Sequence, residues 1–318
     1  MILDREFIDN FFISYDREND THTDFFEFLR LVINFELVIN IPDFDTLEDA
    51  ARENPLIRFL TQKVPKVVFE KNLNKKITDE SFLKADAPVK LFLVENGFED
   101  CEEKLSINGF EIFNNRVLIE KWGKYSKKLK PHKFKVTKSK SLPKDYKFDS
   151  WEKIKEFTHP IHSIVIFDRY ILKNTSNQKI RDNLVPLLKS LLHASHDGQK
   201  IHVTIITVIK DKYGKPAFNL KNISSEIILE LKKDIKADLQ LDIIGYEKAF
   251  EPKDISGLKS RRIYTNYFIV KSDDSFNYFK PNGGINNRSD IEFEFLFDNF
   301  SFSSFTEDMY DLKNMLIR

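Results

Sequence analysis

The apolar runs of this 318-residue chain are strand-sized, as in Ile164–Phe167 and the β-branched His202–Ile209. They fall far short of the ~20 residues that span a bilayer as a helix. Between them lie stretches whose apolar residues recur at helical spacing. A chain that alternates in this way buries its apolar surface as an α/β layer, with helices packed on sheets. The length suggests two domains. The expectation is therefore an α/β protein of two domains, each a small mixed sheet with flanking helices, joined by a lysine-rich linker.

Particular segments make that expectation concrete. In the first domain, Phe25, Phe28, Leu29, Val32 and Ile33 predict a helix capped by Thr23 or Asp24. Glu36–Ile41 reads as a strand, Thr46–Gln62 as one helix, Val89–Val94 as a strand, Glu99–Ile107 as a helix and Phe110–Phe113 as a short strand. In the second, Ile164–Phe167, His202–Ile209, Leu239–Ile244 and Ile263–Val270 read as strands. Ile180–Leu192 carries a leucine stripe that Pro186 bends, and Ser224 or Ser225 is expected to cap a helix. In Ile291–Phe297 apolar residues alternate with Glu292 and Glu294, the pattern of a strand with one wet face. Phe305, Met309, Leu312 and Leu316 predict a closing helix.

Charge divides the chain unevenly although its net charge is zero. Residues 1–60 hold fourteen acids against five arginines, a net of −9. Residues 121–147 hold eleven lysines and one aspartate, a net of +10. Pro131 and Pro143 disfavour a continuous helix there, so this stretch reads as an exposed linker between domains 1–120 and 148–318. Lys127, Lys128, Lys130 and Lys133, interleaved with Trp122, Tyr125, Phe134 and Tyr146, suit phosphate contact and base stacking. The alternatives are a solvated linker and an arm docked on the acidic N-terminal face.

Several chemistries are excluded. One cysteine, Cys101, allows neither an internal disulfide framework nor a cysteine-based zinc knuckle. Phosphate-binding loops, dinucleotide fingerprints, H-E-x-x-H and G-x-S-x-G are all missing, and no cofactor is expected. The first twenty residues are acid-rich, unlike a leader peptide, so the chain is read as cytoplasmic with no membrane span. Five of the seven histidines, His159, His162, His193, His196 and His202, fall in the second domain. His193 and His196 have the i, i+3 spacing of a metal pair but lack a third ligand, and suit a helix C-terminus better.

Two segments of the second domain hold the remaining cations. Asp168 and Arg169 end a buried strand, and Arg261, Arg262, Asn266 and Lys271 follow one another along another. If those strands run antiparallel, Arg169, Arg261, Arg262 and Lys271 come into one neighbourhood, either as a phosphate cluster or as ion pairs with Asp168 that brace the sheet. Arg261 or Arg262, Ile263, Asn266, Ile269, Lys271, Tyr278, Phe279 and Lys280, with Phe167–Ile171, resemble the phospholipase-D-like domain at the C-terminus of MIT-domain proteins, over residues 155–318. Lys259-Ser260 replaces that family's His-Asp, and the H-x-K-x-x-x-x-D pattern of active phospholipases is absent. The resemblance implies a non-catalytic, phosphate-recognising module.

The first domain is similar to PIN-like nucleases, which gather carboxylates around divalent metal at the C-terminal ends of parallel strands. That similarity implies Asp4 or Asp9, Glu48 and Glu95 as ligands for Mg or Mn, although Asn96-Gly97 stands where the family carries an acid. Metal-bound water would then be the nucleophile.

Three readings result. The first is a bacterial nucleic-acid-binding protein, of a kind found in phage-defence systems, with Arg169, Arg261, Arg262, Asn266, Lys271 and the linker lysines on phosphates. The second is a metal-dependent nuclease. The third is a scaffold whose acidic N-terminal domain binds a protein partner.

Overall fold

The computed structural model describes residues 1–17, 27–30, 32–33, 35–64, 66–72, 90–95, 98–128, 130–172, 180–208, 220–246, 261–286, 288–297 and 299–317. The chain is mixed α/β and divides into two compact units, Met1–Leu129 with Phe297–Asn299, and Lys130–Leu296 with Phe300–Arg318. Among the described residues no helix is long and apolar enough to cross a membrane.

The first unit holds a five-stranded, wholly parallel sheet: β1 (Ile2–Asp4), β2 (Glu36–Asn40), β3 (Lys66–Glu70), β4 (Leu91–Leu93) and β5 (Glu111–Phe113), in the order β3-β2-β1-β4-β5. The three residues of each of β1, β4 and β5 are all buried, as parallel strands covered on both faces require. Its helices are α1 (Arg5–Arg17), α2 (Leu47–Glu53), α3 (Pro55–Lys63), α4 (Phe98–Ile107) and α5 (Asn115–Lys128). Residues 27–30 are helical, while the expected cap at Thr23 or Asp24 lies outside the described residues.

The single helix expected over Thr46–Gln62 is two. Pro55 has no N–H to continue α2. Asn54 closes α2 through its backbone N–H to the Ala50 carbonyl (2.9 Å) and opens α3 by accepting from the Leu56 and Ile57 N–H groups.

The second unit holds an eight-stranded sheet: β6 (His132–Val136), β7 (Lys147–Phe148), β8 (Ser163–Phe167), β9 (Lys200–Val208), β10 (Asp238–Tyr246), β11 (Arg261–Thr265), β12 (Phe268–Ser272) and β13 (Asp290–Phe295). The order is β10-β9-β8-β11-β12-β13-β6-β7. Strands β8 to β10 are parallel; β11, β12, β13 and β6 continue antiparallel; β7 pairs parallel with β6. A π-helical turn (Ile180–Leu184) leads into α6 (Val185–Leu191), followed by α7 (Leu220–Leu231) and α8 (Asn299–Ile317). Ser224 and Ser225 lie inside α7 instead of capping it, and the Ser224 hydroxyl donates to the Leu241 carbonyl (3.2 Å).

Two further expectations are corrected. Ile263–Val270 is a hairpin, not one strand. Thr265 Oγ1 accepts from the Tyr267 and Phe268 N–H groups (3.1 and 2.9 Å) and makes the turn without glycine or proline. Residues 121–147 are not an exposed linker. Leu118, Trp122 and Tyr125 are the buried stripe of α5, and Phe134 and Val136 are the buried face of β6 between exposed Lys133 and Lys135. Helical and strand periodicity both run through the segment beneath its lysines. Pro131 falls between α5 and β6, and Pro143 just precedes a 3-10 turn, Lys144–Tyr146.

Candidate functional site

The strand order of the first unit reverses direction between β1 and β4, and ligand crevices of open parallel sheets form at the C-terminal ends of such a pair. Asp4 ends β1, Glu95 follows β4, and Asn115 opens α5 after β5. Asp4 is buried, with one carboxylate oxygen accepting from the Phe7 N–H (2.6 Å) and the other from the Glu95 N–H (2.9 Å). Glu95 Oε2 accepts from the Asn115 backbone N–H (3.0 Å) and Nδ2 (3.2 Å), and the same Nδ2 reaches the Phe7 carbonyl (2.9 Å). These bonds stitch β1, β4, α1 and α5 together. Asn115 was not a sequence candidate; its signal is the Asn114-Asn115 pair directly after a strand, where Asn114 Oδ1 caps α5 through the Val117 N–H (2.8 Å).

The other two expected metal ligands do not join them. Asp9 sits on α1, paired with Arg5 (3.3 Å) and accepting from Asn54 Nδ2 (2.5 Å). Glu48 is exposed in the first turn of α2, where a carboxylate favours the helix dipole. Among the described residues no three His, Cys, Asp or Glu side chains gather as a metal ion requires. Glu48 thus serves the start of α2, and Asp9 ties α1 to the Asn54 cap of α3.

In the second unit, β8 and β11 are antiparallel, with Arg262 opposite Phe167 and, across β12, opposite Lys271. The backbones of Asp168, Arg261, Arg262 and Lys271 therefore reach one end of the sheet. The side chains of Arg261, Arg262 and Lys271 do not converge. Successive strand residues face opposite ways, so Arg261 and Arg262 part. Arg261 lies over the Tyr170 ring (5.6 Å) and donates to the Asp273 carbonyl (3.1 Å). Arg262 pairs with Asp308 of α8, which also accepts from the Tyr264 hydroxyl (3.1 Å). Lys271 pairs with Glu294 (2.6 Å). The Arg169 carbonyl accepts from Thr207 Oγ1 (3.3 Å).

Asp168 is fully buried and bonds neither arginine; it accepts from the Tyr170 N–H (2.9 Å), Ser275 Oγ (2.8 Å) and the Phe276 N–H (2.8 Å). Burial raises its pKa, against the pull of those three bonds and the charge of Arg261. Asn266, expected beside the arginines, is buried in the hairpin turn at the far end of β11, where Oδ1 accepts from the His162 N–H (3.1 Å). Lys259 and Ser260 lie outside the described residues.

The lysine run gives a different picture. Lys127 is exposed and Lys128 half-buried at the end of α5, and burial lowers the pKa of Lys128, countered by Glu111. In the second unit, β6, β7 and their connection form the sheet edge and carry seven lysines between residues 130 and 147. Lys130 is exposed, Lys133 pairs with Glu292 (3.3 Å) and Lys147 with Asp149 (3.2 Å). Lys135, Lys138, Lys140 and Lys144 are exposed, and among the described residues no carboxylate pairs with them. Serine and threonine bonds hold the connection in shape: Ser139 N–H to Thr137 Oγ1 (3.2 Å) and Ser141 N–H to Ser139 Oγ (3.3 Å).

Lys138 Nζ lies 3.2 Å from the point a Cβ on Gly283 would occupy, so the turn bearing exposed Lys280 and Arg288 adjoins the same edge. Of the four aromatics expected to stack on bases, Trp122, Tyr125 and Phe134 are core residues; Tyr146 alone is exposed, at 61%.

The chain thus comprises a doubly wound parallel α/β unit and a mixed eight-stranded α/β unit with a lysine-lined edge. No protein-family model matches it, and no curated protein is significantly similar to it.

Proposed function

We propose that the protein binds the phosphate backbone of nucleic acid through the β6–β7 edge of its second unit. One observation carries the reading: Lys135, Lys138, Lys140 and Lys144 stand exposed on that edge and make no ion pair among the described residues, although Asp290 lies across from Lys135, and Lys280 and Arg288 stand beside them. Cations left unpaired on a fixed framework gain by releasing the counterions condensed on a polyanion. The resemblance to the phospholipase-D-like module points to the same ligand chemistry. Its motif cations are, however, held by Asp308, Glu294 and the Asp273 carbonyl, so the lysine edge replaces them as the phosphate contact. A cytoplasmic location goes with this reading.

The test is fluorescence anisotropy of the full chain with labelled oligonucleotides across a salt series. Six phosphate contacts give a log–log slope between about −4 and −5. Replacing Lys135, Lys138, Lys140 and Lys144 together by Glu should remove most of the affinity and flatten the slope by about 3. Anionic lipid vesicles form a parallel arm. Binding to vesicles without binding to oligonucleotides would refute the proposal.

A further inference from the structure

We infer that the nucleic acid taken by this edge is single-stranded, with Tyr146 as the platform on which a base stacks. The inference rests on the phosphate-binding reading above and adds the form of the substrate. Its basis is the placement of one ring. Tyr146 ends the short 3-10 turn Lys144–Tyr146, held by its own N–H to the Pro143 carbonyl (3.1 Å). Its side chain is 61% exposed, and among the described residues it has neither a ring contact nor a hydrogen bond. The nearby aromatics behave otherwise. Phe134 packs edge-on against Phe293 (5.8 Å), Phe148 against Trp151 (5.5 Å), and Trp151 stacks on Tyr278 (5.3 Å).

A projecting ring among lysines suits a ligand that presents flat faces as well as charge. A duplex hides its base faces in the stack, whereas a single strand offers them without regard to sequence. Lys144 and Lys147, on either side of Tyr146, line an open groove of about 340 Å³ with Ser150, Lys153 and the carboxylates Asp149, Glu152 and Glu156. The groove starts at the turn that carries Tyr146, and Lys138 and Lys140 belong to the same β6–β7 connection, which offers cations to the phosphates flanking a base seated on the ring.

The experiment compares a labelled oligothymidine strand with a duplex of equal length, at one salt concentration, on the full chain. The single strand should bind more tightly. Tyr146→Ala should weaken single-strand binding about tenfold with an unchanged salt slope, since a ring and not a charge is lost. Tyr146→Phe should bind as the wild type does. An unchanged melting curve confirms that the exposed substitution leaves the fold intact. Equal affinity for both forms, or no effect of Tyr146→Ala, overturns the inference. If the four-lysine reversal still abolishes binding in that case, the phosphate reading stands alone. If neither oligonucleotide binds, both fail.

Discussion

Replacing Asp168 by Ala tests whether one buried carboxylate holds the second unit together. Its oxygens satisfy the backbone N–H groups of Tyr170 and Phe276 and the hydroxyl of Ser275, and Phe276 is wholly buried. Each buried donor left without an acceptor costs about 1–3 kcal/mol. Removing a carboxylate whose pKa burial has raised gives part of that back. The expected net loss is therefore about 3 kcal/mol, or a fall in Tm of roughly 6–12 °C for a unit of this size.

Trp151 and Trp122 are the chain's two tryptophans, so fluorescence in a Trp122→Phe background reports the second unit through Trp151. Asp168→Asn gives the sign of the pH effect. A carboxyl with a raised folded-state pKa contributes stability that is present below the unfolded value of 3.8 and lost as pH rises through the folded one. Asp168→Asn should accordingly cost more at acid than at neutral pH. A Tm of Asp168→Ala within a degree or so of wild type, or an Asn penalty that grows with pH, would refute the argument.

Other substitutions probe single contacts. Lys90 is buried over the Phe110 ring (5.3 Å), and burial lowers its pKa to about 8 from 10.5. Wild-type stability should therefore rise with pH across that window, while Lys90→Met should be flat there and about 1–2 kcal/mol more stable at neutral pH, as read by urea midpoints. Asn54→Ala removes the cap of α3 and the bond to Asp9; a loss of about 1–2 kcal/mol in thermal melts is expected. Thr265→Val should cost about 1–3 kcal/mol by leaving the Tyr267 and Phe268 N–H groups unpaired in the hairpin, whereas Thr265→Ser should cost far less.

What could be read from the sequence follows what side-chain periodicity encodes. The alternation in Ile291–Phe297 and the β-branched run at His202–Ile209 specify β13 and β9 within two residues at each end. Ile263–Val270 misleads because apolar residues flank Thr265-Asn266 on both sides and the turn made by the threonine hydroxyl uses neither glycine nor proline. The lysine run misleads for the opposite cause. Its charges dominate the composition and hide Trp122 and Tyr125 at helical spacing and Phe134 and Val136 at strand spacing.

The candidate site was legible in its charges and not in their partners. Asp4 and Glu95 meet as parallel strands dictate. Arg262 and Lys271 were visible as cations, but Asp308 and Glu294, which pair with them, come from elements later in the chain. Tyr146 stood among three other aromatics, and only packing separates it from them.

The pairing of β6 with β13 carries a kinetic consequence. The first strand of the second unit joins the sheet only through the last, with Phe134 opposite Ile291 and Lys133 opposite Glu292. Such distant pairing slows folding, because a long loop must close before any contact rewards it. On a ribosome adding about 5–20 residues per second, β6 waits on the order of ten seconds or more for its partner. During that time β8, β9 and β10 can already associate, while a strand of alternating lysine and apolar residues has only the two-residue β7 beside it. The lysine edge therefore comes into being last, so a chain cut short before Asp290 has the cations but not the edge that arrays them.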